Sequence, residues 1–449
     1  MKTVRIGSGA GYGGDRIEPA IDLIERGNLD YIIFECLAER TISIAQKAKR
    51  ENKELGYNEL FEYRFDKILD AMKINKVKVI TNMGAANPRA AACKCQEIAR
   101  QKGWQHLKIA YVEGDDISHR LLQYQDYEVM ETKAPLSDID GEILSANGYI
   151  GIQGIVEALE DHADIIITGR VADPSLALGP LVYEFGWAMQ DYEKLGKGTW
   201  IGHLLECAGQ VTGGYFADPG YKDVPELWNL GFPIIEVDET GDAIVTKLPQ
   251  TGGIVTTATV KEQTLYEIQD PQNYYTPDVI ADFSHVKVEQ VDKDIVKISN
   301  ASGHKPNGFY KTSVGYHDCY IGEGQISYGG LNALPKAKLA QEIIERRLKK
   351  IGLEYEEIRY DYIGMNSLYK DKISQDLSLC VAGEIRLRVA ARVKTLAEAK
   401  FIGNEVEALY TNGPSGGGGA VKSIKDIVSI ASILVPTHHF TITVGYLEV

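Results

Sequence analysis

The chain has 449 residues, a formal net charge of −15, 44% apolar and 25% charged residues. This is the balance of a globular protein with more than one core, and two or three domains are expected. The acidity excludes a surface built to grip nucleic-acid phosphates, and no apolar run approaches the length of a membrane span. No signal-peptide pattern opens the sequence, so a cytoplasmic location is expected.

The first element is a short apolar strand at residues 4–6. It runs into Gly7-Ser8-Gly9-Ala10-Gly11-Tyr12-Gly13-Gly14-Asp15-Arg16, ahead of a helical pattern at 17–26. Gly9, Gly11 and Gly14 have the G-x-G-x-x-G spacing of a loop that brings backbone N–H groups to a phosphate at a helix N-terminus. Glycine serves such a loop through positive φ and through the missing Cβ. Tight packing explains the same glycines without a ligand. Further strands are expected at 31–34, 77–81, 107–112 and 164–168, with helices at 39–50, 61–72, 88–102 and 152–162 between them. Near-continuous apolar strands alternating with helices imply an α/β domain with a mostly parallel sheet and flanking helices.

Ligands of such sheets bind beyond the strand C-termini. Those ends bring Asp15 and Arg16, Glu35 and Cys36, Asn82 to Pro88, Glu113 to Asp116, and Gly169 to Pro174. Asp15, Asn87, Asp116 and Asp173 also suit helix N-caps. Glu35 and Asp173 are the candidate acid/base groups. Arg170 is a candidate clamp for a carboxylate or phosphate, because its planar fork pairs bidentately. Gly9, Gly11, Gly14, Asp15, Arg16 and Asn82 complete the candidate binding set. Around residues 199–210, His203, Glu206 and Cys207 fall at helical spacing. His203 is a candidate catalytic group with Glu206 beside it, the alternative being a satisfied interior histidine; Cys207 reads as core.

From residue 216 strands dominate. Segments 232–237 and 243–248 flank a hairpin turn at 239–242, and strands follow at 286–289, 295–299 and 309–316. A last part alternates helix (336–351), strand (360–363, 385–391), helix (396–410) and strand (441–446), with Gly416 to Gly419 leading into an expected helix at 424–434. The domains read as 1–215 (α/β, with the glycine-rich turn) and 216–449 (α+β), the latter with a βαβ-like subdomain from about 335. Ser302 to Pro306, with His304 and Lys305, is a second candidate loop or a solvated hairpin tip. No motif supports a metal site. The six cysteines, Cys36, Cys93, Cys95, Cys207, Cys319 and Cys380, have no zinc or disulfide spacing and read as reduced, mostly buried thiols.

Several blocks together resemble the acyclic terpene utilisation (AtuA-like) family. They are Gly7 to Arg16, Leu29-Asp30-Tyr31 through Leu37-Ala38-Glu39, Gly169-Arg170-Val171-Ala172-Asp173, Gly202-His203-Leu204-Leu205-Glu206-Cys207 and Gly213-Gly214-Tyr215-Phe216-Ala217. Tyr266-Glu267-Ile268 with Asp270-Pro271, Thr276-Pro277-Asp278-Val279, Gly322-Glu323-Gly324-Gln325 and Gly413 to Ala420 continue the match over nearly the whole chain. The family is named for gene clusters that degrade branched acyclic terpenes through coenzyme-A thioesters, beside carboxylases and hydratases. The resemblance implies acyl-CoA or organic-acid catabolism but assigns no catalytic role and no cofactor. It also implies a separate small accessory protein as a partner, since some relatives carry a small C-terminal domain that this chain lacks.

The expected function is therefore a lyase, hydratase or isomerase acting by acid/base chemistry on a small anionic organic acid or its CoA thioester. Two alternatives stand beside it: a non-catalytic subunit of a carboxylase or hydratase assembly, and a nucleotide-dependent enzyme using the glycine loop for an NAD-like cofactor. Exposed edge strands in the second half point to a homo-oligomer.

Overall fold

A computed structural model describes residues 2–377 and 383–449; Cys380 lies outside them. The α/β reading holds. Strands β1 (Thr3–Ala10), β2 (Tyr31–Phe34), β3 (Lys78–Thr81) and β4 (Lys108–Glu113) alternate with helices α1 (Glu18–Arg26), α2 (Glu39–Glu51), α3 (Phe61–Asn75) and α4 (Pro88–Gln101). After β5 (Ile143–Gly148) come α5 (Gln153–Glu160), β6 (Ile165–Thr168), α6 (Ser175–Phe185) and α7 (Tyr192–Glu206). The hairpin foreseen at 239–242 joins β7 (Pro233–Asp238) to β8 (Ala243–Lys247) in antiparallel register.

Ten strands form one mixed sheet. Its centre, in the order β1-β2-β3-β6-β4, is parallel. Antiparallel strands extend both edges: β7, β8, Ile295–Ser299 and Lys287–Asp292 beyond β1, and Thr443–Glu448 beyond β4. Strands β2 and β6 are buried along their whole length, as strands covered on both faces must be. Helix α1 presents Ala20, Leu23 and Ile24 to a core that also takes Phe61, Phe65 and Ile68 of α3.

The chain divides into two compact units. The first takes residues up to Ile139, Ile143–Gly315 and Ile430–Val449, so residues 216–315 and the last strand belong with the large sheet. The second takes Asp140–Glu142 and the described part of Tyr316–Ser429. Its strands, drawn from Phe309–Gly329, Glu357–Ile363, Glu384–Val393 and Gly418–Pro436, carry helices Ala333–Ile351 and Leu396–Glu407 between them. Taken as four strands in chain order, they are arranged 2-3-1-4, the split βαβ order of ferredoxin-like folds. Ile326, Tyr328, Ile344, Leu387 and Ile402 fill the core under the helices.

One expected element is corrected. Residues 424–434, read as a helix, lie inside the strand Gly418–Pro436. Ile424, Ile427, Val428, Ile430 and Ile433 are β-branched, which favours the pleated conformation where periodicity alone is ambiguous. Strand β5 was not foreseen at all, because Ser145, Asn147 and Gly148 dilute its apolar pattern. Ser302 to His304 is a short strand paired with Ile280–Asp282, not a loop.

Candidate functional site

The glycine-rich turn is built for close packing. None of its glycines has positive φ. A Cβ on Gly11 would sit 2.5 Å from the carbonyl carbon of Cys207, and one on Gly9 would meet the Phe34 ring at 2.5 Å. Asp15 folds back on the turn: Oδ2 accepts from Gly11 N (3.0 Å) and Oδ1 from Arg16 N (2.8 Å). The N-cap of α1 is Ile17, without a side-chain cap. Of the four expected caps, Asn87 does cap its helix, accepting from Ala90 N at 3.4 Å.

The turn nevertheless borders a cavity of about 630 Å³ in the first unit. Gly11 and Asp15 from the end of β1, Glu35 and Glu39 after β2, Arg170 and Asp173 after β6, and Glu206 at the end of α7 all line it. Gly202 lets α7 lie directly on Pro174, and Gly11 lets its C-terminus abut the first turn, so two glycine contacts fix where Glu206 stands. Of the expected site residues, Gly11, Asp15, Glu35, Arg170 and Asp173 therefore meet at one cavity. Gly9 and Gly14 do not line it. Arg16 donates to the Trp228 carbonyl (3.3 Å) and borders a separate hollow with Glu18 and Asp22.

Asn82 is fully buried and used at both ends. Its Nδ2 donates to Glu35 Oε1 (2.8 Å), and its Oδ1 accepts from Cys36 N (2.7 Å). Leu37 N donates to the same Glu35 oxygen at 2.9 Å. Asn82 thus holds Glu35 in place. Burial raises the Glu35 pKa from 4.5 to about 7, against the opposing pull of Arg170 and these hydrogen bonds. Asp173 is pushed well above the ordinary carboxylate range by burial and by the facing Glu35, Glu206 and Glu39, with Arg170 opposing. Glu39 goes the other way. Burial would raise it, but Arg170, the Tyr149 hydroxyl and Lys311 bring it down to about 2.

Arg170 is only 1% exposed. It stacks over the Tyr149 ring (3.8 Å to the centroid), lies 3.3 Å from Asp173, and donates to the Leu37 carbonyl. Burial disfavours its charge, yet Asp173, Tyr149, Glu39 and Glu35 outweigh that and hold it cationic. Its guanidinium is thus already engaged with the protein's own groups, and a ligand anion has to join or displace Asp173 to reach it.

His203 lines an adjoining chamber of about 220 Å³, which shares Glu39, Asp173, Glu206, Tyr266 and Glu267 with the larger cavity. His203 Nδ1 and Glu206 Oε1 are 2.6 Å apart. Burial works against the charged ring, but Glu206 overcomes it and raises the His203 pKa above 6.5. Tyr274 and Phe283 pack against the imidazole, with centroids 5.5 and 6.0 Å away.

Sequence reasoning quoted Glu39, Tyr266 and Glu267 only within family blocks, with no role at the site, and missed Tyr149 and Tyr274. Glu39 carried a signal: it follows Glu35 by four residues and opens helix α2. Tyr149 follows the unforeseen β5, which hid it. Among the described residues no group of three or more His, Cys, Asp or Glu side chains is placed to hold a metal ion, and no helix is long and apolar enough to cross a membrane. The described cysteines are free; Cys36, Cys95 and Cys319 are buried and Cys93 is exposed.

No curated protein and no solved structure matches the chain. The family model for the acyclic terpene utilisation family protein AtuA matches residues 4–446. With the match running through every strand end that forms the cavity, the chain belongs to the AtuA family.

Proposed function

We propose that this protein is a catabolic enzyme that moves protons on a small organic acid or its CoA thioester, by hydration, isomerisation or carbon–carbon cleavage. One observation carries the reading. Glu35, oriented by Asn82 and Leu37 and with its pKa raised to about 7, borders the same cavity as Asp173, whose pKa is raised above the ordinary carboxylate range. Two carboxyl groups of raised pKa at one cavity suit the work of a general base and a general acid. Glu35 takes the role of base and Asp173 that of acid, while Arg170 favours the charged form of both and of Glu39. The His203–Glu206 pair in the adjoining chamber provides a second proton-carrying group. The family's setting among acyl-CoA-degrading gene clusters supports the substrate class.

The test is solvent deuterium exchange. Purified protein is incubated in D2O with short organic acids, hydroxy acids and their CoA thioesters, and exchange at carbon next to the carbonyl is followed by NMR. Exchange with at least one of them, falling about 100-fold or more in Glu35→Gln, is the expected result. Exchange that survives unchanged in Glu35→Gln refutes the assignment of the base, and no exchange or turnover across the panel refutes the enzyme reading.

A further inference from the structure

The strand Gly418–Pro436 ends one side of the second unit's sheet, and no further strand among the described residues pairs with its outer side along 418–429. Ala420 N donates instead to the Tyr410 hydroxyl at 2.8 Å. Val421 to Asp426 are exposed without a break. Side chains alternate between the two faces. Ala420 packs on the core under the helices, and Lys422 packs on Gly403 and donates to Asn404 (3.0 Å) and Glu407 (2.5 Å). Ile424 continues that face and, with Ala399 and Gly403, lines a groove of about 380 Å³ along the edge. An uncovered strand edge is a template for another strand, unless its charges or bulges forbid one.

We propose that this edge is the interface of a homodimer, in which residues 420–428 of two copies pair as antiparallel strands about a twofold axis at Ile424 and join two sheets into one.

The occupant follows from the charges. With the axis perpendicular to the joined sheet, paired residues share a face, so the axis falls where one residue meets its own copy. Centred on Ile424, the segment Ala420-Val421-Lys422-Ser423-Ile424-Lys425-Asp426-Ile427-Val428 is complementary to itself. Ile424 meets Ile424, and Lys422 meets Asp426 on both sides of the axis. Val421 meets Ile427, Ala420 meets Val428, and Ser423 meets Lys425. An axis at Lys422, Lys425 or Asp426 sets like charges opposite each other, which is unfavourable. An axis at Ser423 or Ile427 leaves a charge facing an apolar residue. The lysines that would repel an unrelated basic strand therefore select this register. Asp426 is anchored at the edge, 3.0 Å from His317. Pairing also covers Val421 and Ile424, which are 54% and 37% exposed, and brings the two grooves together around the Ile424 pair.

The experiment is sedimentation equilibrium of the full chain, with circular dichroism as the check on folding. The native protein should sediment at twice the chain mass of 49.6 kDa. Lys422→Asp sets aspartate against Asp426 across the axis, and Asp426→Lys sets lysine against Lys422. Each variant turns two attractive pairs into repulsive ones and should weaken the dimer by at least about tenfold. Mixing the two variants restores both pairs, so a heterodimer of near-native affinity should form, which a merely structural role for either residue would not produce. A native protein that stays at 49.6 kDa overturns the proposal. So does a dimer of unchanged affinity in both variants, or variants that fail to recover on mixing. If either variant does not fold, Ile424→Cys decides. Directly opposed residues of a hydrogen-bonded antiparallel pair have Cα atoms about 5.5 Å apart, within disulfide reach. Oxidation should then cross-link Ile424→Cys into a covalent dimer beyond the level of the native protein, and no added cross-link overturns the register.

Discussion

Glu35 gives the sharpest test, because its state can be read without knowing the substrate. Burial lifts its pKa from 4.5 to about 7, outweighing the opposing pull of Arg170 and of its hydrogen bonds to Asn82 and Leu37. At 1.36 kcal/mol per tenfold change, that displacement corresponds to about 3 kcal/mol of penalty on the charged form in the folded protein. The folded pKa lies above the unfolded one. Its contribution to stability is therefore fully present below about pH 4.5 and is lost as pH rises through about 7. Glu35→Gln imitates the protonated state at every pH and keeps an acceptor for Asn82 and Leu37. Urea unfolding of both proteins between pH 4.5 and 8.5 reads the difference directly. The variant should gain on the native protein by about 2–3 kcal/mol across that range, with most of the change between pH 4.5 and 7 and little above it. Parallel curves refute the argument. A native protein that gains on the variant as pH rises refutes it more strongly, since that is the mark of a carboxylate whose pKa is lowered.

Three further outcomes follow from the same geometry. Asn82→Leu strips Glu35 Oε1 of one donor and leaves Cys36 N without its acceptor, and it should cost about 2–4 kcal/mol in urea unfolding at pH 7. A loss under about 0.5 kcal/mol would mean that water replaces both bonds. Gly11→Ala drives a methyl into the backbone of Cys207 and should cost about 1–3 kcal/mol by the same assay, whereas a nucleotide-cradling turn would lose ligand binding at unchanged stability. Among the described cysteines, Cys93 should alkylate in the native protein and Cys36, Cys95 and Cys319 only after unfolding, as peptide mapping after iodoacetamide treatment reads out; native labelling of Cys36 would show that the cavity opens to its floor.

Much of this protein was legible in the chain itself. The strand–helix alternation from residue 4 to residue 168 rests on apolar periodicity, which is a local property, and the hairpin between β7 and β8 rests on Thr240-Gly241-Asp242, which is local chemistry. The strand ends named Glu35, Arg170 and Asp173 because a parallel sheet sends all its C-termini to one edge. Where the local signal was ambiguous it failed: β-branched residues at 424–433 continue a strand, and polar residues hid β5. The chemistry of the site was decided by the tertiary structure. Whether Gly11 meets a phosphate or the backbone of Cys207, and whether Asn82 meets a ligand or Glu35, depends on segments far apart in sequence coming into contact. The opposite pKa displacements of Glu35 and Glu39, four residues apart, depend on burial and on the distance to Arg170, Tyr149 and Lys311. Residue type and spacing carry neither quantity, because desolvation and Coulomb energy are set by what surrounds a charge in three dimensions.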